Sequence, residues 1–312
     1  MSGVHHITAI ASSASENLKF YSGILGLRLV KKTVNFDDPY TYHLYYGDEA
    51  GTPGTILTFF PWEGMPAGRR GAGMVTSVAF AVPLASIEFW TTRLRSAGIS
   101  LSLQSRFGET VVSFADPHGL ALELVGTENS TVVQPWRQSQ VPADHQIRGF
   151  HSASATVTSR HPTGALLTEV LGMREIGVEG KRFRFRMSGE GTAGVFYDII
   201  EDPTVDRAAM GSGMVHHIAF RTPDAEEQKS WRQLLIARGM NVTPVIDRKY
   251  FRSIYFREAG GVLFELATDP PGFAVDEEPE LLGLKLMLPQ RYEPIRKRIE
   301  QALKPLPAAQ SA

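Results

Sequence analysis

The fold is decided by one repeated stretch, Gly211-Ser-Gly-Met-Val-His-His-Ile-Ala-Phe-Arg-Thr-Pro223. Its apolar pattern matches Gly71-Ala-Gly-Met-Val-Thr-Ser-Val-Ala-Phe-Ala-Val-Pro83, and shorter copies begin at Gly3 and Gly149. Each copy is short, apolar and alternating, which is typical of a β-strand. Internal repetition on this scale predicts that the chain contains four copies of one supersecondary unit.

An amphipathic helical stretch follows each copy and ends near a glycine, which is the expected stop signal. Two of these helices begin with a capping-box pattern, formed by Ser13 with Glu16 and by Asp224 with Glu227. Each unit then closes on an apolar strand in one common register. The predicted helices cover 13–25, 84–97, 163–171 and 224–238, and the closing strands cover 54–59, 119–124, 194–199 and 261–266.

The four units predict the domain organisation. A unit of about 60 residues with one helix cannot cover both faces of its sheet, so two units must pair around a shared cleft. We therefore predict an α+β fold with four tandem βαβββ modules, which pair into two curved-sheet, open-barrel domains. The predicted parts are an N-terminal domain 1–127 (modules 1–68 and 69–127), a connection 128–147, a C-terminal domain 148–270 (modules 148–208 and 209–270), and a tail 271–312 with a C-terminal helix near 292–303.

Composition excludes several classes of function. The 312 residues carry 32 Lys and Arg against 33 Asp and Glu, so charge gives no reason to expect binding to nucleic acid or to an anionic membrane. The sequence shows neither a transmembrane helix nor a signal peptide. Cysteine is absent, so any metal must be bound by His, Asp or Glu. We expect a cytoplasmic protein that forms a homo-oligomer, a dimer or larger.

The repeat register brings two histidines and one glutamate together. Pairing the first module with the fourth places His6, His217 and Glu265 around one cleft, with Thr58 in the fourth position. Pairing the second with the third gives a set without imidazole. Strand alternation places His217 in the cleft and His216 on the opposite face, toward the helix. The opening position reads His6, Ser77, Ser152 and His217, and the closing position reads Thr58, Glu123, Asp198 and Glu265.

This set of side chains is suited to a catalytic metal. Two neutral imidazoles and one carboxylate can hold a divalent iron on one side and leave the other side open to substrate and dioxygen. Zinc accepts the same ligands, so the set does not name the metal. The plainer alternatives are histidines that are hydrogen-bonded in the core and a Glu265 that lies solvated in the cleft, as Glu123 would in its near-identical strand.

Several segments resemble the vicinal oxygen chelate superfamily of glyoxalases, extradiol dioxygenases and bleomycin-resistance proteins. The chain is most similar to the branch that opens hydroquinone rings, which includes hydroquinone and chlorohydroquinone 1,2-dioxygenases. The segments are Gly3-Val-His-His-Ile-Thr8, Tyr42-His-Leu-Tyr-Tyr-Gly-Asp-Glu-Ala-Gly-Thr-Pro-Gly-Thr55, Arg148-Gly-Phe-His-Ser152, Met214-Val-His-His-Ile-Ala-Phe220, Asp247-Arg-Lys-Tyr-Phe251 and Gly260-Gly-Val-Leu-Phe-Glu265.

The resemblance implies a reaction and a metal. It implies a non-haem Fe(II) enzyme, with Mn(II) as the alternative metal, that opens a small aromatic para-diol with O2 and incorporates both oxygen atoms. The implied ligands are the second histidine of each His-His pair and the late glutamate, which are His6, His217 and Glu265 here. These are the residues that the register also selects.

The resemblance further implies four residues around the metal. Tyr255 would donate to a substrate hydroxyl or at the oxygen site, and Arg248 matches a pocket arginine. His5 and His216 would orient the ligands by hydrogen bonds, or, in the alternative, pack beneath the helix layer.

Three other functions are consistent with the superfamily. A glyoxalase-type lyase or isomerase usually has four protein ligands, which Thr58 argues against. A catechol-cleaving enzyme takes a ligand from the third module, where Ser152 stands. A binding protein that confers resistance without catalysis normally lacks the triad.

Overall fold

The computed structural model describes residues 1–128, 133–190 and 193–307. Its strands confirm four βαβββ modules. The strands of the first two modules are β1 Val4–Ala11, β2 Arg28–Val34, β3 Tyr42–Gly47, β4 Ile56–Pro61, β5 Met74–Pro83, β6 Leu101–Arg106, β7 Glu109–Ala115 and β8 Ala121–Thr127. Those of the last two are β9 Phe150–Val157, β10 Arg174–Glu179, β11 Arg182–Arg186, β12 Phe196–Glu201, β13 Val215–Thr222, β14 Ile246–Asp247, β15 Arg252–Arg257 and β16 Leu263–Thr268.

The strands form two eight-stranded sheets, and the predicted α+β fold is confirmed. The first sheet has the order β14-β15-β16-β13-β1-β4-β3-β2, and the second has the order β10-β11-β12-β9-β5-β8-β7-β6. The antiparallel pairs β1–β13 and β5–β9 join module one to module four and module two to module three. Each sheet thus takes one module from each half of the chain, and the division into 1–127 and 148–270 stays a prediction.

The helices lie where the sequence predicts them, with shifted ends. Gly26 and Gly172 follow the first and third helices with φ of 69°, a left-handed conformation that glycine adopts without strain. The third helix begins three residues before the predicted start, because Pro162 is tolerated in a first turn. The helices are α1 Ala14–Leu18, which continues as a π-helix over Lys19–Ile24, α2 Ile87–Ser96, α3 Arg160–Ala165, which continues as a π-helix over Leu166–Val170, α4 Ala225–Ala237 and α5 Arg296–Ala302.

The helices cover the outer faces of the sheets, and the apolar core lies between these layers. Trp90 and Leu94 of α2 are fully buried there, as are Phe220 and Phe264 of the first sheet. No described helix is long and apolar enough to cross a membrane.

The tail packs along the first module and fixes the loop that follows β2. Lys31 Nζ, which is completely buried, lies 2.6 Å from Asp276 Oδ1 of the tail. The hydroxyl of Tyr292 donates to the carbonyl oxygen of Phe36 at 2.7 Å, and the guanidinium of Arg291 donates to the same oxygen. The predicted C-terminal helix is present as α5, preceded by a 3-10 turn at Gln290–Ile295.

Candidate metal centre

Three potential metal ligands converge on the concave face of the first sheet. Strand pairing sets Ala219 opposite both His6 and Glu265, and His217 lies two residues before Ala219 on β13. One ligand atom from each of His6, His217 and Glu265 lies within 4.8 Å of the others. Oε2 of Glu265 lies 2.9 Å from Nε2 of His217 and 3.4 Å from Nε2 of His6. All three side chains are buried.

The prediction that His216 faces the helix layer is wrong. The β1–β13 pairing contains two bulges, in which His5 and His216 are the extra residues. An extra residue shifts the alternation by one position, so both members of each His-His pair point to the concave face. Nδ1 of His5 lies 2.9 Å from Nδ1 of His6, and the corresponding distance for His216 and His217 is 2.8 Å. The alternative of histidines packed beneath the helices is therefore excluded.

These contacts favour the histidine tautomers that a metal needs. When Nδ1–H of His6 or His217 donates to its neighbour, the lone pair of Nε2 points toward Glu265. Burial lowers the pKa of His217, although Glu265 acts in the opposite direction. Burial and the neighbouring His217 lower the pKa of His216 to about 3. His216 and His217 are therefore neutral at physiological pH, so His217 can serve as a ligand and His216 as the hydrogen-bond partner of a ligand.

The carboxylate of Glu265 also fits a metal. Burial alone would raise its pKa, but the neighbouring His6 and His217 hold the pKa well below its usual value, so the group is ionised. Oε1 accepts a hydrogen bond from the Ser253 hydroxyl at 2.5 Å. Oε2 accepts no aligned hydrogen bond from the part of the chain that the structure describes. A buried anionic oxygen without a donor is costly unless a cation binds it.

Ser253 offers a test of this arrangement. Because its hydroxyl orients the carboxylate, Ser253→Ala is expected to weaken metal binding by about 10–100-fold. Competition with a chromophoric chelator would measure the change, with Ser113→Ala in the second sheet as the control. Equal metal affinity in the two variants would contradict the role assigned to Ser253.

A cavity of about 360 Å³ opens beside the three candidate ligands. Its size suits an aromatic ring, and its walls combine apolar side chains with a few polar ones. A larger open groove of about 850 Å³ between α1 and α2 has no comparable group of ligands among the described residues. The cavity is lined by His6, Thr8, Asn35, Phe36, Asp37, His43, Tyr45, Phe60, Trp62, His216, His217, Arg248, Phe251, Tyr255 and Leu263.

Tyr255 and Arg248 both line this cavity. Nε of Arg248 donates to the Tyr255 hydroxyl at 3.3 Å, and the ring of Tyr255 meets His217 edge to face at 5.6 Å. Burial raises the pKa of Tyr255, despite the nearby guanidinium. The phenol therefore keeps its proton and can donate it in a hydrogen bond.

The sequence did not single out His43 as a cavity residue. The Thr58 hydroxyl donates to Thr8 at 2.9 Å, so Nε2–H of His43 must donate to the Thr58 oxygen, also at 2.9 Å. Nδ1 of His43 then accepts from the Tyr45 hydroxyl at 2.8 Å. Thr58, at the position of a fourth ligand, is thus engaged in a hydrogen-bonded chain that ends on Thr8 in the cavity wall.

The second sheet has serines at the positions of the two candidate histidine ligands, and its equivalent glutamate is held in an ion pair. Ser152 and Ser77 take the places of the two histidines, and Glu123 takes that of Glu265. Both oxygens of Glu123 accept from the guanidinium of Arg106, at 2.7 and 2.9 Å. The second sheet therefore has the same strand arrangement as the first, but among the described residues it lacks the set of two histidines and one glutamate.

Comparison with known proteins agrees with the fold. The sequence profile of the Glyoxalase/Bleomycin resistance protein/Dioxygenase superfamily matches residues 3–124 and 163–275. The chain belongs to this superfamily. A member from Bacillus subtilis (strain 168), named "Putative ring-cleaving dioxygenase MhqO", is 49% identical over 305 residues, with 97% of this chain and 96% of that protein covered.

Two further similar proteins extend the comparison. The chlorohydroquinone/hydroquinone 1,2-dioxygenase of Sphingobium indicum is 34% identical over 302 residues, covering 94% of this chain and 93% of that protein. The crystal structure of a "putative dioxygenase from Bacillus subtilis subsp. subtilis str. 168" superposes with a TM-score of 0.95 at 47% identity, and 99% of each chain is covered. The superfamily and these relatives imply that the chain uses a metal cofactor.

Proposed function

We propose that this protein is a ring-cleaving dioxygenase that opens hydroquinone-type para-diols with O2. The observation that carries the proposal is the convergence of His6, His217 and Glu265 beside a ring-sized cavity. The names of the relatives, ring-cleaving dioxygenase and hydroquinone 1,2-dioxygenase, support the reaction and the substrate. An oxidoreductase of this type inserts both atoms of O2 into the ring.

We propose that His6, His217 and Glu265 hold Fe(II), with Mn(II) as the alternative. Three protein ligands on one side of such a metal leave positions for other molecules, and the bound metal supplies Lewis acidity and one-electron redox chemistry. A fourth protein ligand of the glyoxalase type is disfavoured, because the hydroxyl of Thr58 is engaged by Thr8 and His43.

The protein's own groups bind and orient the diol. The Tyr255 phenol can donate to a substrate oxygen, while Arg248 holds the phenol in place by donating to it. His5 and His216 fix the ring orientations of the two ligand histidines through their Nδ1 atoms. Phe36, Phe60 and the other aromatic walls exclude water from the ring and restrict its position.

Oxygen uptake by protein purified without air and reloaded with Fe(II) would test the proposal. We expect uptake with hydroquinone and methylhydroquinone, a ring-opened product, and no reaction with catechol or with a glutathione hemithioacetal. Metal binding without oxidation of any quinol would instead favour a non-oxidative metal enzyme. Absence of metal binding would favour a binding protein. The cytoplasmic location and the homo-oligomer stay predictions.

A further inference from the structure

The described wall of the cavity has two charged side chains beyond the three ligands, Asp37 and Arg248. They are 211 positions apart in the chain and meet at 3.2 Å, where Nη1 of Arg248 donates to Oδ2 of Asp37. The remaining wall is aromatic, aliphatic or uncharged, because burial also holds the pKa of His43 well below its usual value. The charge presented to a substituent of the bound ring is therefore set by this pair.

The pair is placed at the mouth of the cavity. The side chain of Arg248 is 21% exposed and that of Asp37 is 74% exposed. An exposed ion pair contributes little to stability, so a structural role does not explain it. The pair has a larger effect on the binding of a ligand than on the stability of the fold, because the guanidinium donates to the Tyr255 hydroxyl on one side and to the Asp37 carboxylate on the other.

The backbone holds Asp37 in position independently of Arg248. The amide of Asp37 donates to the side-chain oxygen of Asn35 at 2.9 Å, which forms an Asx turn. The preceding carbonyl, that of Phe36, accepts from Tyr292 and Arg291 of the tail. The loop and the tail thus fix a carboxylate against Arg248 in the absence of substrate.

We propose that Asp37 is a specificity residue that makes the site select uncharged quinols over quinols that carry a carboxylate. The inference rests on the proposed function. An unpaired arginine in a cavity wall would bind a ring carboxylate through two hydrogen bonds. Asp37 occupies the guanidinium and presents a like charge to the incoming carboxylate, which disfavours that ligand. Hydrogen, alkyl and halogen substituents meet the apolar wall and no such repulsion.

Binding measurements on metal-loaded protein without oxygen would test this inference. The probes are methylhydroquinone, 2,5-dihydroxybenzoate and benzoate, each titrated into the wild type, Asp37→Asn and a control, Glu169→Gln, which removes an exposed charge in module three. We expect the affinity ratio of 2,5-dihydroxybenzoate to methylhydroquinone to rise by about tenfold or more in Asp37→Asn, because an arginine pair to a carboxylate becomes available. The control should leave the ratio unchanged.

The two proposals fail in different ways. A ratio that stays within twofold of the wild type, in a folded Asp37→Asn protein, would overturn the role of Asp37 while leaving the dioxygenase intact. A wild type that binds no quinol would count against the proposed function. In that case a gain of benzoate binding in Asp37→Asn would support the role of Asp37, and unchanged benzoate binding would overturn it. Asp37→Ser provides a second variant if Asn perturbs the loop. Adding Arg248→Met to Asp37→Asn should abolish the gain.

Discussion

Glu265→Gln is expected to remove bound metal and oxygen uptake together. The substitution keeps the volume and the hydrogen bond from Ser253, but it replaces the anionic oxygen of the candidate ligand by a neutral amide. The metal affinity should fall by more than the roughly 10–100-fold that follows from loss of an outer partner. The fold should survive, because the substitution removes a buried charge of which one oxygen, Oε2, lacks a hydrogen-bond donor among the described residues. Metal content after dialysis and oxygen uptake with methylhydroquinone would measure the effect.

Glu123→Gln is the matched control. Glu123 occupies the equivalent position in the second sheet, opposite Ala79 as Glu265 is opposite Ala219. It pairs with Arg106, so its substitution should lower stability and leave metal content per folded molecule unchanged. Retention of metal by Glu265→Gln, or loss of metal from folded Glu123→Gln, would contradict the assignment of the site to the first sheet.

The architecture and the meeting of the three candidate ligands could be predicted from the sequence because they follow from repetition. Once His6 and His217 occupy one repeat position and Glu265 another, pairing of modules one and four brings them together. The orientation of His216 could not be predicted from strict alternation. The signal was nonetheless present, since all four opening strands break their alternation with two adjacent polar residues after an apolar one. Two polar residues in a row are consistent with a bulge.

The other residues of the cavity wall come together through long-range contacts, which the local sequence pattern does not predict. Asp37 and Arg248 are 211 positions apart, and they meet because a loop of module one and a loop of module four reach the same cavity mouth. His43 lies on β3 with a pattern that fits a core residue equally well. Its role becomes visible only when Thr58 and Tyr45 are seen on either side of its ring.

Asp198→Asn is expected to cause a large loss of stability without changing the metal site. Asp198 is completely buried in the second sheet at the position that Thr58 occupies in the first. Its oxygens accept from Nε and Nη2 of Arg184, at 2.9 and 3.1 Å, and from Nη1 of Arg182 at 3.0 Å. Removing this charge leaves the positive charges of the two guanidinium groups only partly neutralised. In comparable pairs such a loss lowers the free energy of unfolding by about 3–5 kcal/mol.

Denaturant unfolding would measure this loss, and Asp202→Asn is the control. Asp202 pairs with Lys181 at 3.4 Å on the surface just beyond the same strand, so its substitution should leave the unfolding midpoint almost unchanged. Metal content and oxygen uptake per folded molecule should equal those of the wild type in both variants, because none of the candidate ligands found among the described residues belongs to the second sheet. Loss of metal from folded Asp198→Asn would show that the second sheet takes part in the site, and that the ion pairs in place of its ligands do more than stabilise the fold.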